Sequence, residues 1–194
     1  MKTDIILAGV GGQGILSIAA TIGMAALKND LYIKQSEVHG MSQRGGEVQS
    51  HLRISSDNIA SDLIPMGAAD LILGVEPMES LRYTNFLSPD GWIVTNSVPY
   101  VNIPNYPDLE KVLQTIKSYK NHVLIDADKI AAEIGSKRSS NIVMLGAASK
   151  FIDIPFENLE YGIRAIFGRK GEDVVNKNLE ALHAGRDFAL NYLK

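Results

Sequence analysis

Between Ser36 and Gly46 the chain reads Ser-Glu-Val-His-Gly-Met-Ser-Gln-Arg-Gly-Gly, which sets an imidazole, a guanidinium, a carboxylate, two hydroxyls and three glycines in one short stretch. His39 could relay a proton near neutrality, because an unperturbed imidazole titrates at about 6.5. Arg44, flanked by Ser42, Gln43, Gly45 and Gly46, has the make-up of an anion clamp. Its guanidinium fork matches phosphate or carboxylate, and flexible amides stand beside it. Ser36, Glu37 and Gly40 complete the stretch. Each residue alone also fits a solvated turn, and Glu37 and Glu47 could simply pair with Arg44 or Arg53 to fix its shape. Together they predict a functional loop. No Gly-x-Ser-x-Gly nucleophile elbow occurs, and no histidine pair has metal-ligand spacing, so neither a catalytic triad nor a metal site is expected.

A second glycine-rich segment precedes this one. Gly9-Val-Gly11-Gly12-Gln13-Gly14 follows an apolar run and opens a predicted helix, matching the dinucleotide fingerprint in which absent side chains let a pyrophosphate approach the positive helix end. That fingerprint also asks for an acid about 20 residues further on, at the end of the second strand. Gln35 and Ser36 hold that place, with Glu37 just beyond. Two readings stay open here: a site in an independent nicotinamide or flavin enzyme, and a tight architectural turn.

The elements that must carry both segments are read from periodicity. Asp4–Ala8 is a continuous apolar run, as in a strand buried on both faces. Ile15, Ile18, Ala19, Ile22, Ala25 and Ala26 recur at helical spacing and form a crossover helix. Leu31–Ile33 reads as a second strand. No helical repeat follows it, and Ser36–Gly46 takes the place of the expected second helix as a loop. Val48, Ser50, Leu52 and Ile54 alternate with Gln49, His51, Arg53 and Ser55, predicting a strand with one wet or subunit-facing side, antiparallel or at an edge. Ala69–Val75 is a buried strand, Pro77–Phe86 a helix with proline in its first turn, and Gly91–Thr95 another strand. Residues 97–107 hold three prolines and form an irregular connection. Leu109–Tyr119 is a helix and His122–Asp126 the final strand; Asp128–Ile134, Asn141–Phe151, Phe156–Phe167 and Gly171–Tyr192 are helical. The expected class is α/β, a three-layer α/β/α sandwich with a mixed, mostly parallel sheet and a helical C-terminal part, in a single domain over residues 1–194.

Composition narrows the partners. The 194 residues are 45% hydrophobic, enough for a substantial core, and 19 basic against 22 acidic residues give a net charge of −3. No general attraction to nucleic acid or an anionic membrane is expected. With no cysteine, the chain can ligate neither an iron–sulfur cluster nor zinc through thiolates, so any such centre belongs to another subunit. The N-terminus lacks a signal-peptide pattern and no apolar run approaches about 18 residues, so a soluble, cytoplasmic protein is expected.

Taken in order, GVGGQGILS, SEVHGMSQRGGEVQSHLRIS, ADLILGVEP, NIVMLGA and the Ile-Pro-Phe-Glu-Asn helix start resemble the gamma-type domain of the 2-oxoacid:ferredoxin oxidoreductase family over nearly the whole chain. SEVHGMSQRGG looks like its indolepyruvate branch, where the corresponding chain is the small beta subunit. The resemblance implies a complex that decarboxylates a 2-oxoacid on thiamine diphosphate, passes electrons through iron–sulfur clusters to ferredoxin and transfers the acyl group to coenzyme A. It implies that thiamine diphosphate, magnesium and the 4Fe-4S clusters sit in a large alpha subunit. This chain is then expected to complete that site from outside. His39 and Arg44 are its site-completing residues; Ser36, Glu37, Gly40, Ser42, Gln43, Gly45 and Gly46 face the substrate or the coenzyme A passage. The Gly9–Gly14 turn is then chiefly architectural or interfacial. A scaffold that homodimerises without touching substrate is the third alternative.

Overall fold

A computed structural model describes residues 1–40, 45–101 and 103–194, with the backbone alone for His39. The elements in chain order are β1 (Lys2–Val10), α1 (Ile15–Lys28), β2 (Tyr32–His39), β3 (Glu47–Ser55), β4 (Ala69–Gly74), α2 (Pro77–Arg82), β5 (Leu87–Asn96), α3 (Leu109–Lys117), β6 (His122–Ile125), α4 (Ala127–Glu133), α5 (Ser140–Ala148), α6 (Phe156–Phe167) and α7 (Glu172–Tyr192). One sheet carries the strands in the order β2-β3-β1-β4-β5-β6. β1, β4, β5 and β6 run parallel, and β3 lies antiparallel between β1 and β2.

Alternation along the central strands builds three layers. Ile5, Leu7, Leu71, Leu73, Val94 and Val123 face a core shared with α1, α5, α6 and α7. Ile6, Ile72 and Ile93 face the other way, onto Val112 and Ile116 of α3 and Met78 and Leu81 of α2. Strands buried on both faces lose the polar half of their alternation, which is why Asp4–Ala8 reads as one apolar run.

The antiparallel β3 follows from chain length. Only seven residues separate His39 from Glu47, whereas a parallel crossover takes about a dozen or more. The segment is therefore a hairpin, and β2 continues through Ser36–His39, which the sequence assigns to a loop. β2 is the sheet edge, so polar residues carry no penalty on it and no apolar period marks it as strand.

The polar face of β3 is neither wet nor at the edge. Residues 59–64 cover it, and Arg53 donates to the carbonyls of Ser61 and Leu63, both at 3.0 Å. Arg53 also grips the fully buried Asp4 through Nε at 2.8 Å and Nη2 at 3.1 Å, so it pairs with neither Glu37 nor Glu47. His51 Nδ1 accepts from the Ile64 amide at 3.0 Å. The proton then sits on Nε2, 2.9 Å from the Gln49 Nε2 position, and two donors cannot face each other, so the Gln49 amide is assigned in the flipped sense, with its oxygen accepting. The helix expected over Pro77–Phe86 stops at Arg82, and a short 3-10 turn covers Thr84–Phe86.

Candidate functional site

The glycine turn lies at the carboxyl end of β1 beside that of its parallel neighbour β4, where the chain leaves β1 for α1 on one face of the sheet and β4 for α2 on the other. Ligands of open α/β sheets enter the crevice at such a switch point. Here Gln13 occupies it: its Oε1 accepts from the Val10 amide at 2.8 Å and its Nε2 reaches the Val75 carbonyl at 3.4 Å. A Cβ at Gly9 would stand 2.3 Å from Val75 Cγ2. Gly14, at φ +83°, starts α1, and a Cβ there would stand 2.5 Å from Asn141 Nδ2. These glycines serve close packing. The dinucleotide geometry is also broken elsewhere, because β3 separates β1 from β2 and moves the end of β2 a further strand spacing, about 4.8 Å, from the turn.

The two glycine segments meet. Gly11 donates to the Gly46 carbonyl at 2.8 Å, Gly45 to the Gly11 carbonyl at 3.3 Å, and Gly40 to the Glu47 carbonyl at 2.9 Å. Gly9, Gly11, Gly12, Gln13 and Gly14 thus form one surface with Gly40, Gly45 and Gly46. Glu37 and Ser36 lie lower on β2, opposite Ser50 and His51, and Gln35 Nε2 donates to Glu37 Oε2 at 3.2 Å and to Ser50 Oγ at 3.0 Å. Ser42, Gln43 and Arg44 lie outside the described residues, as does the His39 side chain.

One flank of this surface is acidic. Glu47, the first residue of β3, stands 3.7 Å from Arg82 Nη1, and Arg82 Nε is 3.0 Å from the buried Glu79. Burial pushes the Glu79 carboxyl up, with Arg82 opposing. Burial, then Glu47 and Glu79, push the Tyr83 phenol to about 12.

The other flank is basic, and sequence reasoning missed it. A cleft of about 750 Å³ opens beside Gly12, Gly14 and Ser17 and is rimmed by Lys137, Arg138, Lys170 and Lys177. Among the described residues none of the four stands within salt-bridge distance of a carboxylate. α1 and α5 both begin here without a side-chain cap, so their free amides add positive potential. Asn141 Nδ2 donates to the Gly14 carbonyl at 3.1 Å and ties the two helix starts together. The sequence signal lay in Gly-Ser-Lys-Arg-Ser-Ser at 135–140 and Gly-Arg-Lys-Gly at 168–171, two basic turns immediately ahead of helices. A smaller pocket of about 180 Å³ adjoins the cleft through Gln13, Ser140 and Asn141, and Asn96, Tyr100 and Asp128 line its far side. The arrangement suits a phosphorylated ligand laid along the cleft, and among the described residues it brings no nucleophile and base into contact. Among the described residues no group of three His, Cys, Asp or Glu could hold a metal ion.

Known proteins share this architecture. A 2-oxoglutarate:ferredoxin oxidoreductase of Magnetococcus marinus, solved with 2-oxoglutarate, coenzyme A and succinyl-CoA bound, superposes with a TM-score of 0.79 at 26% identity over 98% of this chain. This chain spans 31% of that longer one. The pyruvate oxidoreductase subunit PORC of Thermotoga maritima shares the fold, with a TM-score of 0.72 and 24% identity over 96% of each chain. In sequence, the indolepyruvate oxidoreductase subunit IorB of Archaeoglobus fulgidus is 33% identical over 98% of this chain and 97% of its own. That of Pyrococcus horikoshii is 36% identical over 94% and 93%. With the family model for pyruvate ferredoxin/flavodoxin oxidoreductase matching residues 4–188, from the buried Asp4 to the last helix, the chain belongs to that family.

Proposed function

We propose that this chain is the small subunit of a 2-oxoacid ferredoxin oxidoreductase of the indolepyruvate type, working in the cytoplasm, and that it completes the active site and the coenzyme A passage of a large alpha subunit. The basic cleft beside the glycine turn carries this reading, joined to full-length likeness to IorB subunits. Lys137, Arg138, Lys170 and Lys177 hold the phosphates of coenzyme A, with the uncapped starts of α1 and α5 behind them. The hairpin after β2 faces the 2-oxoacid, where Arg44 meets its carboxylate and His39 a transferable proton. Thiamine diphosphate, magnesium and the 4Fe-4S clusters belong to the alpha subunit and supply decarboxylation and electron transfer to ferredoxin. The absence of cysteine agrees with that division.

Co-expression with the alpha subunit tests it, with indolepyruvate-dependent reduction of a viologen dye as the assay. Replacing Lys137 and Lys177 together by Ala is expected to raise KM for coenzyme A by about a hundredfold, the scale of two lost charge-assisted contacts at about tenfold each, with kcat kept. His39→Ala and Arg44→Ala are expected to lower kcat/KM for indolepyruvate. Undiminished activity of the alpha subunit alone refutes the proposal, and full activity of both loop variants would favour a scaffold.

A further inference from the structure

The connection between β5 and α3 holds Pro99, Pro104 and Pro107, and its sequence alone predicts nothing that fixes it. One buried carboxylate does so. Glu76, with no exposed surface, follows β4 and caps α2 by accepting from the Glu79 amide through Oε2 at 2.7 Å. Its Oε1 accepts from the Tyr100 amide at 3.3 Å and from the Tyr106 hydroxyl. Among the described residues Glu76 has no cationic partner within salt-bridge distance. A buried carboxylate is tolerated only when hydrogen-bonded, so the Tyr106 hydroxyl is needed to hold Glu76 as much as the reverse. At the near end Ser97 donates to the Ile125 carbonyl at 2.9 Å and Val98 to Asn96 Oδ1 at 3.3 Å. The outcome of this anchoring is the place of Tyr100, which forms a wall of the small pocket that adjoins the basic cleft.

We infer that Tyr106 is a positioning residue for coenzyme A use: through Glu76 it holds Tyr100 as the wall of a subsite for the neutral, hydroxyl- or amide-bearing part of a ligand whose phosphates lie in the basic cleft. The lining fits that class of group. Ser140 offers a hydroxyl and Asn141 its amide oxygen, whereas the Gln13 amide already bonds to Val10 and Val75 and the Asn96 amide to Val98, Ala127 and Asp128, so these two form polar walls with only a second amide proton each to give. Tyr106 does not touch the pocket itself. Its phenol is pushed above its usual range by burial and then by Glu76, so it remains a donor throughout the pH range of any assay.

The inference rests on the reading of the cleft as the coenzyme A site, and two variants in the complete complex separate the two. Tyr106→Phe removes only the hydroxyl. Its expected effect is a rise in KM for coenzyme A of about five- to tenfold, the scale of one hydrogen bond, with kcat and KM for indolepyruvate within about twofold. Tyr100→Ala, which leaves Glu76 and Tyr106 in place, is expected to give the same selective rise. A merely structural role would lower thermal stability without splitting KM for coenzyme A from that for indolepyruvate. If Lys137→Ala/Lys177→Ala raises KM for coenzyme A while Tyr106→Phe and Tyr100→Ala leave it unchanged, the positioning role is overturned and the cleft stands. If none of the variants moves it, the cleft reading fails and the inference falls with it.

Discussion

Replacing Gly14 by Ala tests whether the start of α1 is locked by geometry or by habit. Gly14 sits at φ +83°, a conformation that costs an L-residue about 1–2 kcal/mol. The new Cβ would also stand 2.5 Å from Asn141 Nδ2, so Asn141 must withdraw and forfeit its hydrogen bond to the Gly14 carbonyl, a further loss of about 1 kcal/mol. The sum is about 2–3 kcal/mol, which for a chain of this size lowers Tm by about 5–10 °C. Urea unfolding with Gly12→Ala as control separates the parts. Gly12 is at φ +101° with nothing within 4 Å of a built Cβ, so it carries backbone strain alone, about 1–2 kcal/mol. Adding Asn141→Ala removes the obstructing side chain, and in that background Gly14→Ala is expected to cost about 1 kcal/mol less than alone. A Gly14→Ala cost under about 0.5 kcal/mol, or strict additivity with Asn141→Ala, would refute the reasoning.

Other consequences are open to direct measurement. Gln13→Ala removes the side chain that joins Val10 to Val75 across the switch point, and urea unfolding is expected to show a loss of about 1–3 kcal/mol from the bared backbone groups. Arg53→Leu leaves Asp4 buried with only the half-exposed Lys2 beside it. A loss of about 3 kcal/mol is expected, together with faster proteolysis within residues 59–64, whose carbonyls Arg53 holds. Burial lowers the pKa of His51 below 6.5, so the unfolded chain binds more protons than the folded one in that range. The stability that neutral His51 contributes is full above pH 6.5 and is lost as pH falls through the lower folded value. His51→Gln is expected to flatten that part of the stability–pH curve, and an unchanged slope would count against the burial of His51 as its source.

Much of the sheet was legible because strands buried on both faces leave an unbroken apolar run, and because a helix of period 3.6 follows β1. The hairpin was half legible. The missing apolar repeat after Ile33 correctly excluded a second crossover helix, yet it concealed that Ser36–His39 continue β2, since an edge strand needs no apolar face. The polar side of β3 misled in the opposite direction: His51 and Arg53 look solvated in sequence but are covered by residues 59–64, which have no regular structure to announce them. The basic cleft was the least legible feature. Its cations come from two turns more than 30 residues apart, at 137–138 and 170, and from Lys177 in α7, so only the packing of α5 against α7 brings them together.

The position of Gln13 decides how these parts can work together. In a nucleotide-binding sheet the crevice between the diverging strands is left open for the ligand, whereas here a side-chain amide closes it with two hydrogen bonds to the backbone. On the proposed function, the open space for a ligand lies to the side, at the uncapped starts of α1 and α5 and the four cations. The same turn is bonded to the hairpin through Gly11, Gly45 and Gly46, and the hairpin is held on its far side by Glu47 and Arg82. A phosphate group in the cleft and a carboxylate at the hairpin would thus be held by one continuous glycine surface, on opposite sides of Gly11. On the proposed function, the cleft and the hairpin would position two anionic substrates on one surface, with no nucleophile and base in contact among its described residues, for chemistry that the alpha subunit supplies.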